Sequence, residues 1–135
     1  MSKRHFILDI NGVLILTDRW GNVRTNTELI NYLLLKKDTY SFTLLTSNPP
    51  EIEHHMEAVY KVPKFYDNFI SSATFNLLKS DPRLYEEVMA KLMCPPEACV
   101  FVDDTQENVE AAASLGITGI LYTNFEEFKT DLEKI

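Results

Sequence analysis

Short apolar runs alternate with amphipathic segments along almost the whole chain, and this alternation limits the folds that the chain can adopt. Five apolar runs have the length and composition of buried strands. They occupy residues 6–10, 42–45, 66–70, 99–102 and 117–122. The segments between them carry apolar residues at helical spacing, as expected for helices with one buried face. This alternation favours an α/β fold, in which a mostly parallel sheet has helices on both faces.

Turn and helix signals separate these elements. Residues 15–25 are polar around a Trp-Gly-Asn turn, which predicts a short hairpin or flap. Pro49 and Pro50 suit the first turn of a helix, and Gly116 is typical of a residue that follows one. The predicted helices occupy residues 27–37, 49–60, 82–93, 105–115 and 125–134.

The composition is that of an ordinary globular protein. The 135 residues fit a single domain over residues 1–135, and they are 45% hydrophobic and 24% charged. No apolar run approaches the roughly 18 residues of a membrane span, and no signal peptide is recognisable at the N-terminus. We therefore predict a cytoplasmic protein with no membrane partner, in which Cys94 and Cys99 are reduced thiols.

The net charge of −7 argues against a nucleic-acid partner, because phosphate backbones are bound by clustered lysine and arginine. A phosphate-bearing ligand would therefore need local cations that overcome the negative field of the chain. A divalent metal ion, one lysine and the N-termini of helices can supply them.

Polar side chains follow several of the predicted strands, where α/β proteins place their ligands. Asp9 ends the first strand, Ser47 follows the second within the polar residues 46–48, and Asp103 and Asp104 end the fourth. Lys79 lies in a loop before a helix. Carboxylates, a hydroxyl and a lysine at one edge of a sheet predict a site for Mg²⁺ and phosphate, since Mg²⁺ prefers hard oxygen ligands.

Four motifs in order resemble those of the haloacid dehalogenase-like (HAD) hydrolases. Asp9-Ile10-Asn11-Gly12-Val13 resembles the first motif, Asp-x-Asp-Gly-Val/Thr. Ser47 matches the Ser/Thr of motif two, and Lys79, in Leu-Lys-Ser-Asp-Pro-Arg-Leu-Tyr, matches the lysine of motif three. Residues 102–108, Val-Asp-Asp-Thr-x-x-Asn, resemble motif four. The resemblance implies a three-layer, Rossmann-like fold with a five-stranded sheet in the order 5-4-1-2-3.

The resemblance also implies a role for each matching residue. Asp9 would be the nucleophile and a metal ligand, and the backbone carbonyl of Asn11 would be a second ligand. Asp104 would bind Mg²⁺ directly or through water, with Asp103 beside it. The phosphate group would be held by Asp9, Gly12, Ser47, Asn48 and Lys79.

Asn11 departs from the family pattern, which has a second aspartate at this position. In the family's phosphatases that residue protonates the leaving oxygen and then activates water, and an amide cannot exchange a proton in this way. Loss of a general acid–base group costs roughly 10²–10⁴-fold in rate. The sequence thus predicts a Mg²⁺-dependent hydrolase of phosphoric monoesters that forms an aspartyl-phosphate and turns over slowly.

Two alternatives stay open. The chain could be a non-catalytic phosphate-binding or scaffold protein of the HAD fold. A dehalogenase-type hydrolase is disfavoured, because the dehalogenases of the family need no metal and Asp103 and Asp104 preserve the metal-binding acids.

Motif spacing also bears on the substrate. Asn11 and Ser47 are 36 residues apart, and Ser47 and Lys79 are 32 residues apart. The predicted strands and helices use up both intervals, which predicts a domain without a cap, covered only by the flap at residues 15–25. An open site suits a large phosphorylated substrate, although a neighbouring subunit could also close it. The oligomeric state is not predicted.

Overall fold

The computed structural model describes residues 4–135, and seven strands lie in this part of the chain. Five of them form one parallel sheet, and the other two form a separate antiparallel hairpin. In chain order they are β1 (Arg4–Leu8), β2 (Ile15–Thr17), β3 (Val23–Thr25), β4 (Tyr40–Thr46), β5 (Asn68–Ser71), β6 (Cys99–Asp103) and β7 (Thr118–Leu121).

The strand order of the sheet is β5-β4-β1-β6-β7, with β1 at the centre. The predicted order, 5-4-1-2-3, is corrected to this one. The predicted order numbered only five strands, whereas the chain has seven in residues 4–135. The predicted flap at residues 15–25 contributes β2 and β3, which follow β1 in the chain and pair with each other outside the five-stranded sheet.

Five helices connect or follow these strands within residues 4–135. They are α1 (Thr27–Leu34), α2 (Ile52–Ala58), α3 (Pro82–Leu92), α4 (Gln106–Ala113) and α5 (Phe125–Glu133). Local side chains determine where three of them begin, since Asn26, Asp81 and Asn124 each accept a backbone N–H of the first turn. All five are shorter than predicted, because periodicity marks a buried face more accurately than the ends of a helix.

Alternate residues of the strands point to two separate hydrophobic clusters. In β1, Phe6 and Leu8 face the cluster that includes α1 and α5, whereas Ile7 faces the cluster that includes α3 and α4. This alternation is the two-residue period of a strand that is buried on both faces. The result is the predicted α/β architecture of three layers, with helices on both sides of the sheet.

Because the sheet strands are parallel, their carboxyl ends meet at one edge of the molecule. The residues that follow β1, β4 and β6 are those that the sequence singled out as polar. None of the helices within residues 4–135 is both long and apolar enough to cross a membrane.

Candidate active site

A buried lysine joins two buried carboxylates at this edge. The ammonium group of Lys79 contacts Asp9 Oδ1 and lies 3.3 Å from Asp103 Oδ2. The exposed fractions of Lys79, Asp9 and Asp103 are 6%, 8% and 0%. Charges so far from water persist in folded proteins only when opposite charges and hydrogen bonds compensate them.

Hydrogen bonds from several elements hold these groups in place. The Asp9 N–H donates to the carbonyl of Val102 (2.9 Å), which ties the end of β1 to β6. The hydroxyl of Tyr85, in α3, donates to the carbonyl of Lys79 (2.6 Å). The backbone at Lys79 is therefore anchored from the helix that follows it, and its side chain is directed across the edge of the sheet.

Asp103 accepts more hydrogen bonds than its neighbours. Its Oδ1 accepts the backbone N–H of Thr105 (2.9 Å), and its Oδ2 accepts the side-chain amide of Asn108 (3.2 Å) in addition to Lys79. Both oxygens are thus engaged by protein donors. Asp103 therefore acts from behind the site, where it orients Lys79 and the start of α4.

The electrostatics of the site call for another cation. Burial raises the pKa of Asp9 to about 7, against the attraction of Lys79 and with a further contribution from Asp103. The pKa of Asp104 is also raised, first by partial burial and then by Asp103. When all three carboxylates are ionised, Lys79 leaves two negative charges uncompensated.

The donor set fits a divalent ion of the magnesium type. Asp9, Asp103 and Asp104 each offer a carboxylate oxygen, and these oxygens lie within 4.8 Å of one another. Hard oxygen ligands in small number are typical of Mg²⁺ sites, which keep waters or phosphate oxygens in the remaining positions. Asp9 and Asp104 face the cavity described below, and we expect them to bind the ion more directly than Asp103.

The turn after β1 packs closely against Asp104, which follows β6. Gly12 has a φ of +90°, and a Cβ at this position would overlap the carboxylate of Asp104. Glycine is therefore required both for the backbone conformation and for the close approach of the two loops. The N–H of Gly12 donates to the carbonyl of Ile15 (2.8 Å), so this N–H is already engaged within the turn and the predicted phosphate-binding role of Gly12 stays a prediction.

A cavity of about 210 Å³ lies above the charged groups. Its lining comes from the loops after β1, β4 and β6 and from the loop before α3: Asp9, Asn11, Thr46, Ser47, Asn48, Lys79, Asp104, Thr105 and Asn108. Ser47 is exposed. Asn48 donates from its backbone and its side chain to the hydroxyl of Thr46 (3.1 Å each), which orders this loop.

The fold thus brings most of the predicted site residues to one cavity. The exceptions are Asp103, which lies behind it, and Gly12, which shapes the turn beside it. Four residues of the site were given no role from the sequence, although the quoted motifs or strand ends contain them: Thr46, Tyr85, Thr105 and Asn108. The spacing Asp-Asp-Thr-x-x-Asn was a usable signal for Thr105 and Asn108. Asn108 lies in the first turn of α4, and its side chain reaches back to Asp103.

Comparison with known sequences identifies relatives of this chain. The family model of the haloacid dehalogenase-like hydrolases matches residues 3–116. The sesquiterpene phosphatase of Aspergillus oryzae is 28% identical over 105 residues, which are 77% of this chain and 54% of that protein. The mouse bifunctional epoxide hydrolase 2 is 24% identical over 107 residues, 76% of this chain and 19% of that protein. The chain therefore spans only part of the length of these relatives.

Solved structures share the fold. A predicted HAD-like hydrolase from Porphyromonas gingivalis has a TM-score of 0.82 at 16% identity, over 98% of this chain and 97% of its own. A HAD-family enzyme from Bacteroides thetaiotaomicron, crystallised with magnesium and inorganic phosphate, has a TM-score of 0.76 at 16% identity, over 94% and 99%. Together with the match over residues 3–116, the fold identifies this chain as a member of the haloacid dehalogenase-like hydrolases.

Proposed function

We propose that the chain is a Mg²⁺-dependent hydrolase of phosphoric monoesters that acts through an aspartyl-phosphate on Asp9, with turnover slowed by Asn11. The observation that carries this proposal is the contact of Lys79 with Asp9 and Asp103 beneath an open cavity. A buried carboxylate held by a lysine, with a second carboxylate pair nearby, is equipped to attack an anionic phosphorus centre.

The residues of the cavity would divide the work. Asp9 would attack phosphorus in line and form the covalent intermediate, which splits one difficult step into two. Lys79 would keep Asp9 ionised and attract a phosphate oxygen, and the Ser47 hydroxyl would donate to another. Mg²⁺, when bound by Asp9, Asp104 and the Asn11 carbonyl, would neutralise the repulsion between nucleophile and substrate.

The names of two similar proteins support this chemistry. The Aspergillus oryzae relative is a sesquiterpene phosphatase, and an Arabidopsis thaliana relative, 35% identical over 57 residues, is a flavin mononucleotide hydrolase. The Bacteroides neighbour contains magnesium and inorganic phosphate in its crystal. These relatives support phosphatase activity and a magnesium requirement for this chain over the dehalogenase-type reaction.

We further propose an uncapped single domain that accepts a large phosphorylated substrate. Two more cavities adjoin the loop after β4, one of about 620 Å³ that includes Asn48 and one of about 360 Å³ that includes Ser47. Either cavity could hold the part of the substrate to which the phosphate is attached. The exposed Trp20, with 74% of its surface accessible, stands on the hairpin β2–β3. A cytoplasmic location stays a prediction.

A second function is favoured by Asn11 alone. This side chain is exposed and lines the cavity, where an aspartate would exchange protons with the leaving group and with water. An amide at this position leaves the proposed phosphate and metal contacts intact but removes the proton transfer. A protein that binds phosphorylated partners without turnover would be built in the same way.

The experiment compares Mg²⁺-dependent hydrolysis of p-nitrophenyl phosphate by the parent chain and by Asn11→Asp. We expect Asn11→Asp to be faster by at least about tenfold, because it restores the general acid–base group. Asn11→Ala is the matched control, since it changes the same side chain without adding an acid, and it should not gain activity.

Trapping of the covalent intermediate separates the two functions. An acid-stable, hydroxylamine-labile phosphoenzyme in the parent chain would support the hydrolase. If folded Asn11→Asp neither hydrolyses the substrate nor forms this species, the proposed hydrolase is wrong and phosphate binding without turnover is favoured. A parent chain that is as fast as Asn11→Asp would contradict the role assigned to position 11.

A further inference from the structure

The two cysteines of the chain lie side by side, at the opposite end of β6 from the candidate site. Cys94 Sγ and Cys99 Sγ are 3.1 Å apart. Cys99 is the first residue of β6 and is fully buried, and Cys94 is half-buried and packs against the same hydrophobic cluster. The length of a disulfide bond is about 2.05 Å, so the sulfurs need to approach by only about 1 Å to form one.

The segment between the cysteines holds them in this position. Met93, in the left-handed conformation with a φ of 53°, ends α3, and the N–H of Cys94 donates to the carbonyl of Met89 (3.1 Å). Pro95 and Pro96 restrict the backbone that follows, because each proline fixes its own φ. The pair is thus ordered by the end of a helix and by two prolines, and it is not brought together by chance fluctuation of a loop.

We propose that Cys94 and Cys99 form a reversible redox pair, which closes to an intramolecular disulfide by exchange with a small-molecule disulfide such as oxidised glutathione. The composition of the chain predicts reduced thiols, and the reduced pair is the starting state of this reaction. The proposal is independent of the hydrolase activity.

Each sulfur has a distinct part in the exchange. Cys94 is the more accessible, so its thiolate attacks one sulfur of the small disulfide and expels one thiolate. Cys99 then attacks Cys94 Sγ in the mixed disulfide, loses its proton and releases the second thiol. One small disulfide is reduced to two thiols while two protein thiols are oxidised to one disulfide, so atoms and electrons balance.

The order of the two steps follows from burial. Burial raises the pKa of the Cys99 thiol, and the neighbouring Cys94 raises it further. Cys99 therefore remains a thiol until a mixed disulfide is formed beside it. A buried thiol of this kind reacts slowly with oxidants in solution. Its attack on Cys94 Sγ in the mixed disulfide is favoured by proximity, since the two sulfurs lie 3.1 Å apart, and this offsets its small thiolate fraction.

The experiment measures how strongly the folded chain favours the disulfide. Reduced protein is equilibrated with mixtures of reduced and oxidised glutathione, quenched with acid, alkylated and weighed as intact protein. The ratio of disulfide to dithiol gives the effective concentration of the two thiols. We expect this value to be at least about tenfold higher for the folded chain than for the chain in 6 M guanidinium, because the fold aligns the sulfurs.

Two variants make the result specific. Cys99→Ser should stop at the glutathione adduct on Cys94, and Cys94→Ser should react slowly, because only the buried thiol remains. The proposal is overturned if the effective concentration in the folded chain does not exceed that of the denatured chain. It is also overturned if the parent chain accumulates the glutathione adduct without closing the ring, and this second result needs neither variant to fold.

Discussion

The two ends of β6 bury their side chains equally and surround them with opposite chemistry. Cys99, at the first position, and Asp103, at the last, are both 0% exposed. Cys99 packs among apolar side chains beside a second thiol, whereas Asp103 accepts hydrogen bonds from Thr105, Asn108 and Lys79. Burial alone therefore does not distinguish a residue of the hydrophobic core from a residue of the candidate site. The hydrogen-bond donors that reach its side chain make the distinction.

The difference follows from the direction of the strands. At the carboxyl edge, the loops after β1, β4 and β6 and the first turn of α4 direct polar groups at one point. At the other edge, Cys99 lies in an apolar cluster, and its thiol contacts Cys94 in the proline-containing connection after α3. When its three carboxylates are ionised, the polar end holds more negative charge than Lys79 can compensate, and a bound cation would stabilise it. The thiol end carries no such excess of charge.

Removal of Asp9, the proposed nucleophile, should have the largest effect, and it tests the polar end of the comparison. In an Asn11→Asp background, Asp9→Asn is expected to lower the hydrolysis of p-nitrophenyl phosphate by at least about 10³-fold, because no covalent intermediate can form. The same change should not lower the thermal midpoint of the metal-free protein, since it removes a carboxylate that burial disfavours. Retention of activity would show that Asp9 is not the nucleophile.

Removal of the lysine should have the next largest effect, this time on stability. Lys79→Met leaves Asp9 and Asp103 without their buried cation, which is expected to lower the free energy of unfolding by roughly 3–5 kcal/mol. Mg²⁺ should restore part of this loss. Urea denaturation with and without MgCl₂ measures both quantities. Cys94→Ser is the control at the other end of β6, and its response to Mg²⁺ should equal that of the parent. A Lys79→Met protein as stable as the parent would contradict this account.

The smallest of the three effects is a pH dependence that sharpens the comparison. The pKa of Asp9 is raised from 3.8 to about 7, chiefly by burial, so the folded chain holds this proton over a range in which the unfolded chain has lost it. The contribution of Asp9 to the free energy of unfolding therefore falls as the pH rises from about 4 to about 7. Saturating Mg²⁺ should reduce this fall, because the ion favours the carboxylate.

The contribution of Asp9 is isolated as the difference between the parent and Asp9→Asn in metal-free denaturation at pH 5, 6, 7 and 8. The difference is needed because the pKa of His5 is lowered by burial, so His5 makes the folded chain gain stability as the pH rises through the acid range. A difference that does not change between pH 5 and 8 would mean that Asp9 titrates normally.

Much of the fold was predictable because its signals are local. Buried strands appear as apolar runs, amphipathic helices as a period of 3.6 residues, and the hairpin as a turn sequence between polar residues. The family was recognisable for the same reason, since its four motifs are short and occur in order. The strand numbering had to be corrected because the prediction counted only the five strands of the sheet, whereas the hairpin at residues 15–25 adds β2 and β3 to the chain.

The candidate site was only partly accessible to such reasoning. Asp9, Ser47 and Lys79 occur in motifs, and their proposed roles stay predictions. Tyr85 was missed because its hydroxyl acts on the carbonyl of Lys79 through the turn that begins α3. The hydrogen bond from Gly12 to Ile15 was missed because it depends on how the turn after β1 closes.

The sequence by itself determined the class of fold, the family and the residue types that meet at the carboxyl edge, because each depends on neighbours in the chain. Only the tertiary structure decided which carboxylate is enclosed by protein donors, how far the pKa of Asp9 is raised, and that two cysteines five positions apart bring their sulfurs within 3.1 Å. These properties depend on distances between elements that are remote in sequence or separated by a turn. Such distances are set by the packing of the helices on the sheet, and no local sequence pattern predicts them.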